Sequence, residues 1–148
     1  GSISSGSDYR MKENIEEITN GIETVKKLKP SKYNIRKSFN PLDDGKKHHG
    51  FIAHEVQEAI PDIGNIVSGT KDGMEEVFYG VDDDEVIPEG KKAGDSTGTF
   101  TDKPDMQGID YGHMTPVLAA AIKELITKVE TLEQDNIALR ARVTNLEG

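Results

Sequence analysis

Residues 116–148, PVLAAAIKELITKVETLEQDNIALRARVTNLEG, carry the pattern that decides the fold. Apolar side chains, with one asparagine among them, recur every seven positions in two interleaved series. These are the a and d sites of a coiled-coil heptad sustained over about four repeats. The a series is Ile122, Val129, Asn136 and Val143, and the d series is Leu118, Leu125, Leu132, Leu139 and Leu146. The segment is therefore predicted to form a long helix that associates with copies of itself.

Charged residues beside this stripe predict how the chains are arranged. Each g residue is opposite in charge to the e residue of the following heptad: Lys128 with Glu133, Asp135 with Arg140, and Arg142 with Glu147. Such pairs favour a parallel, in-register assembly of identical chains. The number of chains stays open on this pattern. The β-branched a residues, the leucines at d and Asn136 favour dimers, whereas Ile126 at an e site widens the stripe and favours a larger bundle.

The composition restricts the classes of function. Among 148 residues only 34% are hydrophobic and 30% are charged, which predicts one domain with a modest core, elongated or stabilised by other subunits. The net charge of −9 opposes binding to phosphate backbones, so nucleic acid is not an expected partner. The absence of cysteine excludes disulfides and thiolate metal sites. No apolar run has membrane-spanning length and no signal peptide is visible, so a membrane partner is not expected.

The segment upstream of the heptad contains signals for short, mixed elements. Capping-box patterns at Asn14 and Asn20, with apolar residues at helical spacing, predict two short helices before Pro30. Alternation predicts a strand at 33–36, and residues 51–60 are typical of a strand end that leads into a helix. The predicted fold class is therefore α+β.

Residues 68–107 differ from the rest in being rich in Gly, Asp, Lys and Thr. Two strand-like stretches flank Lys71-Asp72-Gly73, which predicts a hairpin, and a disordered loop is the alternative. The run Asp82-Asp83-Asp84-Glu85 lacks the alternating ligands and the glycine of a calcium loop. It is predicted to be a solvated acidic turn.

A serine and a lysine near the N-terminus form a candidate catalytic pair. A serine hydroxyl attacks a carbonyl only when a base takes its proton, and a desolvated lysine is one such base. Ser7 and Lys12 are five residues apart, which does not place them on one helical face. They can meet only if Ser7 lies in an extended or turned lead-in. Residues 1–6 are small and typical of a linker that can enter a protease site.

Three histidines, His48, His49 and His54, form the other cluster of chemically active side chains. A metal site needs three or four convergent ligands, and the sequence fixes no such geometry here. Ordinary polar packing is the favoured interpretation, and no metal or other cofactor is expected.

Several blocks in a fixed order carry a resemblance to a known family. They are Ser-Asp-x-Arg-x-Lys-x-Asn-Ile at 7–15, HGFIAHEV at 49–56, Ile109-Asp110-Tyr111, Pro116, and AIKEL at 121–125. The chain resembles the C-terminal intramolecular chaperone domain of phage tailspikes, tail fibres and endosialidases, the S74 peptidase family. This resemblance runs from about Ser7 to the C-terminus and is weakest between Ser68 and Gln107.

The resemblance implies an activity and assigns roles to residues. A domain of this family promotes trimerisation of the upstream fibre and then cuts itself off before the motif serine. Here that makes Ser7 the nucleophile, Lys12 the base and Gly6–Ser7 the scissile bond. Asp8 and Arg10 match as structural partners that shape the turn. Outside that turn, His49 is a candidate for assisting proton transfer, and His54 stands where the family pattern has glutamine.

The same resemblance implies a domain organisation and partners. Residues 1–6 would be a linker, 7–115 a chaperone and autoprotease domain, and 116–148 the helix of a parallel trimeric coiled coil. Residues 68–107 would form a protruding β arm that contacts the folding passenger. The expected partners are two further copies of the chain and the passenger of the same polypeptide, in the cytoplasm of a phage host.

Two other interpretations stay open on the sequence. One is a trimerisation module that does not cut. The other is the self-cleaving region of a eukaryotic membrane-bound transcription factor, which the Ser–Lys motif also resembles. Neither the residue that donates to the oxyanion nor the choice between cleavage within one chain and between chains follows from the sequence.

Overall fold

The computed structural model describes residues 6–62, 65–80 and 85–148. It is a mixed α/β structure, as predicted, and its contacts divide the chain into two compact units. Residues 1–26 and 115–148 form the helical unit, and residues 27–114 form the central unit. None of the described helices is long and apolar enough to cross a membrane. The elements are α1 (Gly21–Lys27), β1 (Ser31–Tyr33), β2 (His48–Gly50), α2 (Ala53–Ala59), β3 (Val67–Ser68), β4 (Met74–Phe78), β5 (Ser96–Pro104), β6 (Gly108–Ile109) and α3 (Tyr111–Glu147).

The long helix α3 contains all of the predicted heptad. It has 37 residues, a length of about 55 Å at 1.5 Å per residue. It begins before Pro116 because the side chain of Asp110 caps its first turn by accepting a hydrogen bond from Gly112 N at 3.0 Å.

Two neighbouring faces of α3 have different exposure. Val117 and Ala121 are buried, whereas every a and d residue is exposed. The exposed fraction of the apolar a and d side chains ranges from 41% at Leu118 to 87% at Leu146. The heptad stripe is thus open along the whole helix in this chain, and the association of chains stays a prediction.

Only one of the two predicted N-terminal helices forms. The helix expected after Asn14 is wrong, because no helix forms between residues 12 and 20. Asn14 itself has φ 52°, in the left-handed region rather than the extended backbone of a helix cap. The second prediction is confirmed by α1, but its cap is not local. The amides of Gly21 and Ile22 donate to the carboxylate of Glu124, more than a hundred residues away.

The described residues of the central unit contain α2 and three antiparallel pairs of strands, of which β3 contacts α2. β1 pairs with β2, β3 with β6, and β4 with β5. The strand predicted at 33–36 is largely wrong, because β1 spans Ser31–Tyr33 and shares only Tyr33 with it. After the strand, the side chain of Asn34 donates to the carbonyls of Gly45 and Lys46. The helix predicted within 51–60 is confirmed by α2. The buried apolar residues of this unit are Leu28, Val56, Ala59, Ile60, Ile66, Val67 and Met114.

The hairpin predicted at Lys71-Asp72-Gly73 is wrong. Those residues form a tight turn, in which Gly73 N donates to Thr70 O at 3.0 Å, but the strands on either side belong to different pairs. The strand after the turn, β4, pairs instead with the nine-residue β5, and the pairing extends to hydrogen bonds between Tyr79 and residues 94 and 95. The predicted acidic turn at Asp82-Asp83-Asp84 lies outside the described residues.

Candidate active site

The segment from Asp8 to Lys12 is a tight turn that is built by its own side chains. Residues Tyr9–Met11 form one turn of 3₁₀ helix, and Asp8 caps it by accepting from Arg10 N at 2.9 Å. The Arg10 guanidinium reaches back to the same carboxylate through Nε at 2.9 Å and Nη2 at 2.8 Å. Such a two-pronged pair fixes geometry as well as adding energy. Asp8 and Arg10 therefore hold the turn closed.

The turn brings Ser7 and Lys12 together. Lys12 ends the 3₁₀ helix, with its backbone N–H donating to Tyr9 O at 3.1 Å. From there its side chain folds back, and Nζ donates to Ser7 Oγ at 2.6 Å. A nucleophile and its base need a separation of about 2.6–3.2 Å, and the distance between Lys12 Nζ and Ser7 Oγ lies within that range.

Charges within the turn are paired between Asp8 and Arg10. The hydrogen bond from Arg10 holds the pKa of the Asp8 carboxyl below its usual value, and the same bond raises the pKa of the Arg10 guanidinium. The positive charge of Arg10 is therefore balanced by its neighbour.

The site is open to solvent in this chain. Residues 6–12 are all exposed, including both members of the pair. The burial expected of Lys12 is therefore not present in the single chain. Gly6, on the other side of the expected scissile bond, lies beside Met11, whose Sδ and Cε would be 3.4 Å from a Cβ at that position.

His49 lies in the central unit, on β2 opposite Lys32, and is exposed. Its neighbour Gly50 is fixed by close packing, because a Cβ there would lie 2.5 Å from the hydroxyl of Tyr111. That hydroxyl accepts a hydrogen bond from Phe51 N at 3.1 Å. Two of the blocks that carry the family resemblance, at 49–56 and 109–111, thus meet in space. Sequence reasoning gave Tyr111 no role, and its place in one of those blocks was the available signal.

A second cluster missed by sequence reasoning joins one of the histidines to two aspartates. His48 Nε2 lies 2.9 Å from the buried Oδ2 of Asp43, and its ring stacks on Tyr33. Asp44 completes a set of three groups whose potential ligand atoms lie within 4.8 Å of one another. Lys46 already forms an ion pair with Asp44 at 2.9 Å, and Asp43 is fully hydrogen-bonded. Each of the three side chains thus has a protein partner.

Comparison with family models covers the first two motif blocks, at 7–15 and 49–56. Residues 7–65 match the family model Peptidase_S74, described as chaperone of endosialidase. The match starts at Ser7 and covers less than half of the chain, including the Ser7–Lys12 turn, α1, the first strand pair and α2. No curated protein matches the chain significantly. Over residues 7–65, the chain is therefore similar to the Peptidase_S74 family, the chaperone of endosialidase.

Proposed function

We propose that this chain promotes trimerisation and folding of a fibre or tailspike passenger fused upstream, and then releases itself by cleavage between Gly6 and Ser7. The observation that carries the proposal is the 2.6 Å hydrogen bond from Lys12 Nζ to Ser7 Oγ, at the start of the family match. The chain would act once on itself, as a single-turnover serine autoprotease. Folding and release would take place in the cytoplasm of a phage host, with no cofactor.

The chemistry of cleavage follows from the two side chains. Ser7 Oγ attacks the carbonyl carbon of Gly6 while the neutral amine of Lys12 takes the hydroxyl proton. The C–N bond between Gly6 and Ser7 then breaks, Lys12 returns the proton to the departing amine, and an ester joins Gly6 to Ser7 Oγ. Water hydrolyses this ester, which leaves a carboxylate on Gly6 and a free hydroxyl and amine on Ser7.

Assembly is proposed to precede cleavage. A charged ammonium cannot accept a proton, and burial is what disfavours the charged form of an amine. Lys12 is exposed in the single chain, so a covering surface is needed before it acts as a base. A partner chain in the trimer would supply that cover, and the site would stay inactive until the passenger had assembled.

Two further features support the chaperone part of the proposal. The heptad stripe of α3 is open along its length, and exposed apolar stripes of this kind mark association surfaces. The strands β4 and β5 pair with each other and with no other described strand, which suits an extension that contacts the passenger. The partners proposed are two copies of the chain and the passenger itself.

The experiment is expression of the chain with a fibre passenger fused upstream and no added protease. We expect two products, with Ser7 as the new N-terminus of the smaller one. Ser7→Ala removes the nucleophile and Lys12→Ala the base, so each should leave one full-length product. Lys12→Arg should fail as well, because guanidinium stays protonated at accessible pH. The double alanine variant should be little worse than either single one, since both residues act in one step.

The control is Lys71→Ala, which removes an exposed lysine from the central unit. It should cut like the wild type. Folding and trimerisation of the passenger should survive the Ser7 and Lys12 changes. A different N-terminus, or cleavage that persists in Ser7→Ala, would contradict the mechanism. One uncut product in the wild type would favour a trimerisation module without protease activity.

A further inference from the structure

The first turn of α1 is held by a carboxylate from the long helix. Glu124 accepts from Gly21 N at 3.1 Å through Oε1 and from Ile22 N at 2.7 Å through Oε2, in a partly buried position. The first amides of a helix have no partner within the helix, and a carboxylate there is favoured by their partial positive charge. Glu124 therefore fixes where the N-terminal segment joins α3.

The contact is close as well as charged. A Cβ at Gly21 would lie 2.3 Å from Ala121 N and 2.6 Å from Ala120 C, so the two backbones touch. Immediately upstream, residues 17–19 line a groove whose other wall is α3. The segment from residue 17 to residue 22 thus lies along this helix.

Heptad positions show which face of α3 the segment occupies. Glu124 is a c site and Ala120 an f site, and these sites lie away from the seam of a coiled coil. Ala121, the closest contact of Gly21, is a g site at the edge of the seam. The a and d neighbours Ile122 and Leu125 are exposed. The N-terminal segment therefore packs on one side of α3, and the stripe of a and d residues stays exposed for contact with other chains.

The contact of residues 17–22 with α3 restricts the position of the turn that carries Ser7 and Lys12. Seven residue spacings separate Lys12 from Thr19 at the groove, and an extended chain covers at most about 25 Å over that number. The pair Ser7 and Lys12 is consequently tethered near the part of α3 where the heptad begins, which is where a partner chain would arrive.

We infer that Glu124 is a positioning residue for self-cleavage. It fixes the segment that carries Ser7 and Lys12 against α3, so that assembly through the heptad covers the pair in one defined place. This role rests on the proposed function and adds to it a residue that touches neither the scissile bond nor the expected trimer seam.

The test uses the passenger fusion with three variants. Glu124→Ala removes both acceptors, and Glu124→Gln keeps one acceptor oxygen. Glu130→Ala is the control because it removes an exposed glutamate of the same helix. Cleavage is timed at a temperature where each variant is folded, and the mass of the assembly is measured on the same samples. Misplacement of a reacting group by about 1 Å costs roughly 100-fold in rate, so Glu124→Ala should slow cleavage by between about tenfold and 100-fold.

The expected pattern is a slow Glu124→Ala, an intermediate Glu124→Gln and a normal Glu130→Ala, all with the assembly mass of the wild type. If Glu124→Ala cuts at the wild-type rate, the inference is wrong. Loss of assembly together with cleavage, without recovery in Glu124→Gln, would also overturn it, because Glu124 would then be needed for the fold alone. An uncut wild-type fusion would instead overturn the proposed function, and this role of Glu124 with it.

Discussion

Replacing Gly21 with alanine tests the contact between α1 and α3. Intrinsic helix propensity favours alanine over glycine by about 1 kcal/mol. The structure predicts the opposite sign, because the new Cβ would lie 2.3 Å from Ala121 N and real Cβ contacts do not fall below 3.0 Å. The backbones must therefore separate by at least about 0.7 Å, the difference between these two distances. Overpacking of this kind costs about 1–3 kcal/mol.

The same movement lengthens the hydrogen bonds from Gly21 and Ile22 to Glu124. A hydrogen bond to a charged group contributes about 1.5–3 kcal/mol, and part of that is lost with the fit. With the propensity gain subtracted, Gly21→Ala should lower the free energy of unfolding by about 2–4 kcal/mol.

Urea and thermal denaturation followed by circular dichroism would measure this change. The samples need one fixed protein concentration, because the midpoint of an oligomer depends on it. At about 2–4 °C per kcal/mol, the thermal midpoint should fall by roughly 4–16 °C. Gly112→Ala is the matched control, since its Cβ would meet only the end of the Asp110 side chain, at 3.1 Å. A Gly21→Ala variant as stable as the wild type would refute the reasoning.

Three other changes test separate features of the chain. Replacing Leu132 and Leu139 with glutamate should dissociate the proposed trimer, because buried unpaired charge costs several kcal/mol; sedimentation should then give the 16.2 kDa chain rather than three times that mass, and an unchanged assembly would contradict the predicted seam. The hydrogen bond from His113 lowers the pKa of Asp110 in the folded chain. The Asp110–His113 pair therefore stabilises the fold at pH values above the unfolded-state pKa of Asp110, about 3.9, and this stabilisation is lost as the pH falls through the lower folded-state pKa. Asp110→Asn keeps the cap without the titration, so the difference in stability between wild type and variant should shrink below about pH 4; a difference that does not change with pH would count against the pairing. Replacing residues 70–106 with a short linker should leave a folded assembly that folds its passenger poorly, because β3 and β6 still pair; unfolding of the shortened chain would show that this segment is needed for the core.

Local patterns in the sequence were enough to predict several features. The periodicity of residues 116–148 predicted a long helix, because a heptad repeat is a property of consecutive residues. The apolar spacing of residues 51–60 likewise predicted a helix, and Pro61 predicted where it ends. The pair Ser7 and Lys12 was also within reach, since the turn that joins them is built only from residues between them, chiefly Asp8 and Arg10.

Contacts between distant residues could not be read in this way. The cap of α1 is contributed by Glu124, so the capping pattern at Asn20 predicted a helix without predicting its partner. The strands around Lys71-Asp72-Gly73 pair with β5 and β6 rather than with each other, although the turn itself is typical of a hairpin. Nor did the sequence indicate that Gly50 and Phe51 meet the hydroxyl of Tyr111.

The physical reason is the range over which each interaction acts. Helix periodicity and a five-residue turn are decided by neighbours along the chain, so the sequence alone determines them. Capping by a remote carboxylate, strand pairing across an intervening segment and backbone contact at Gly21 each depend on closing a long loop. Which loops close depends on the apolar surface that many distant residues bury together, and this burial is visible only in the tertiary structure.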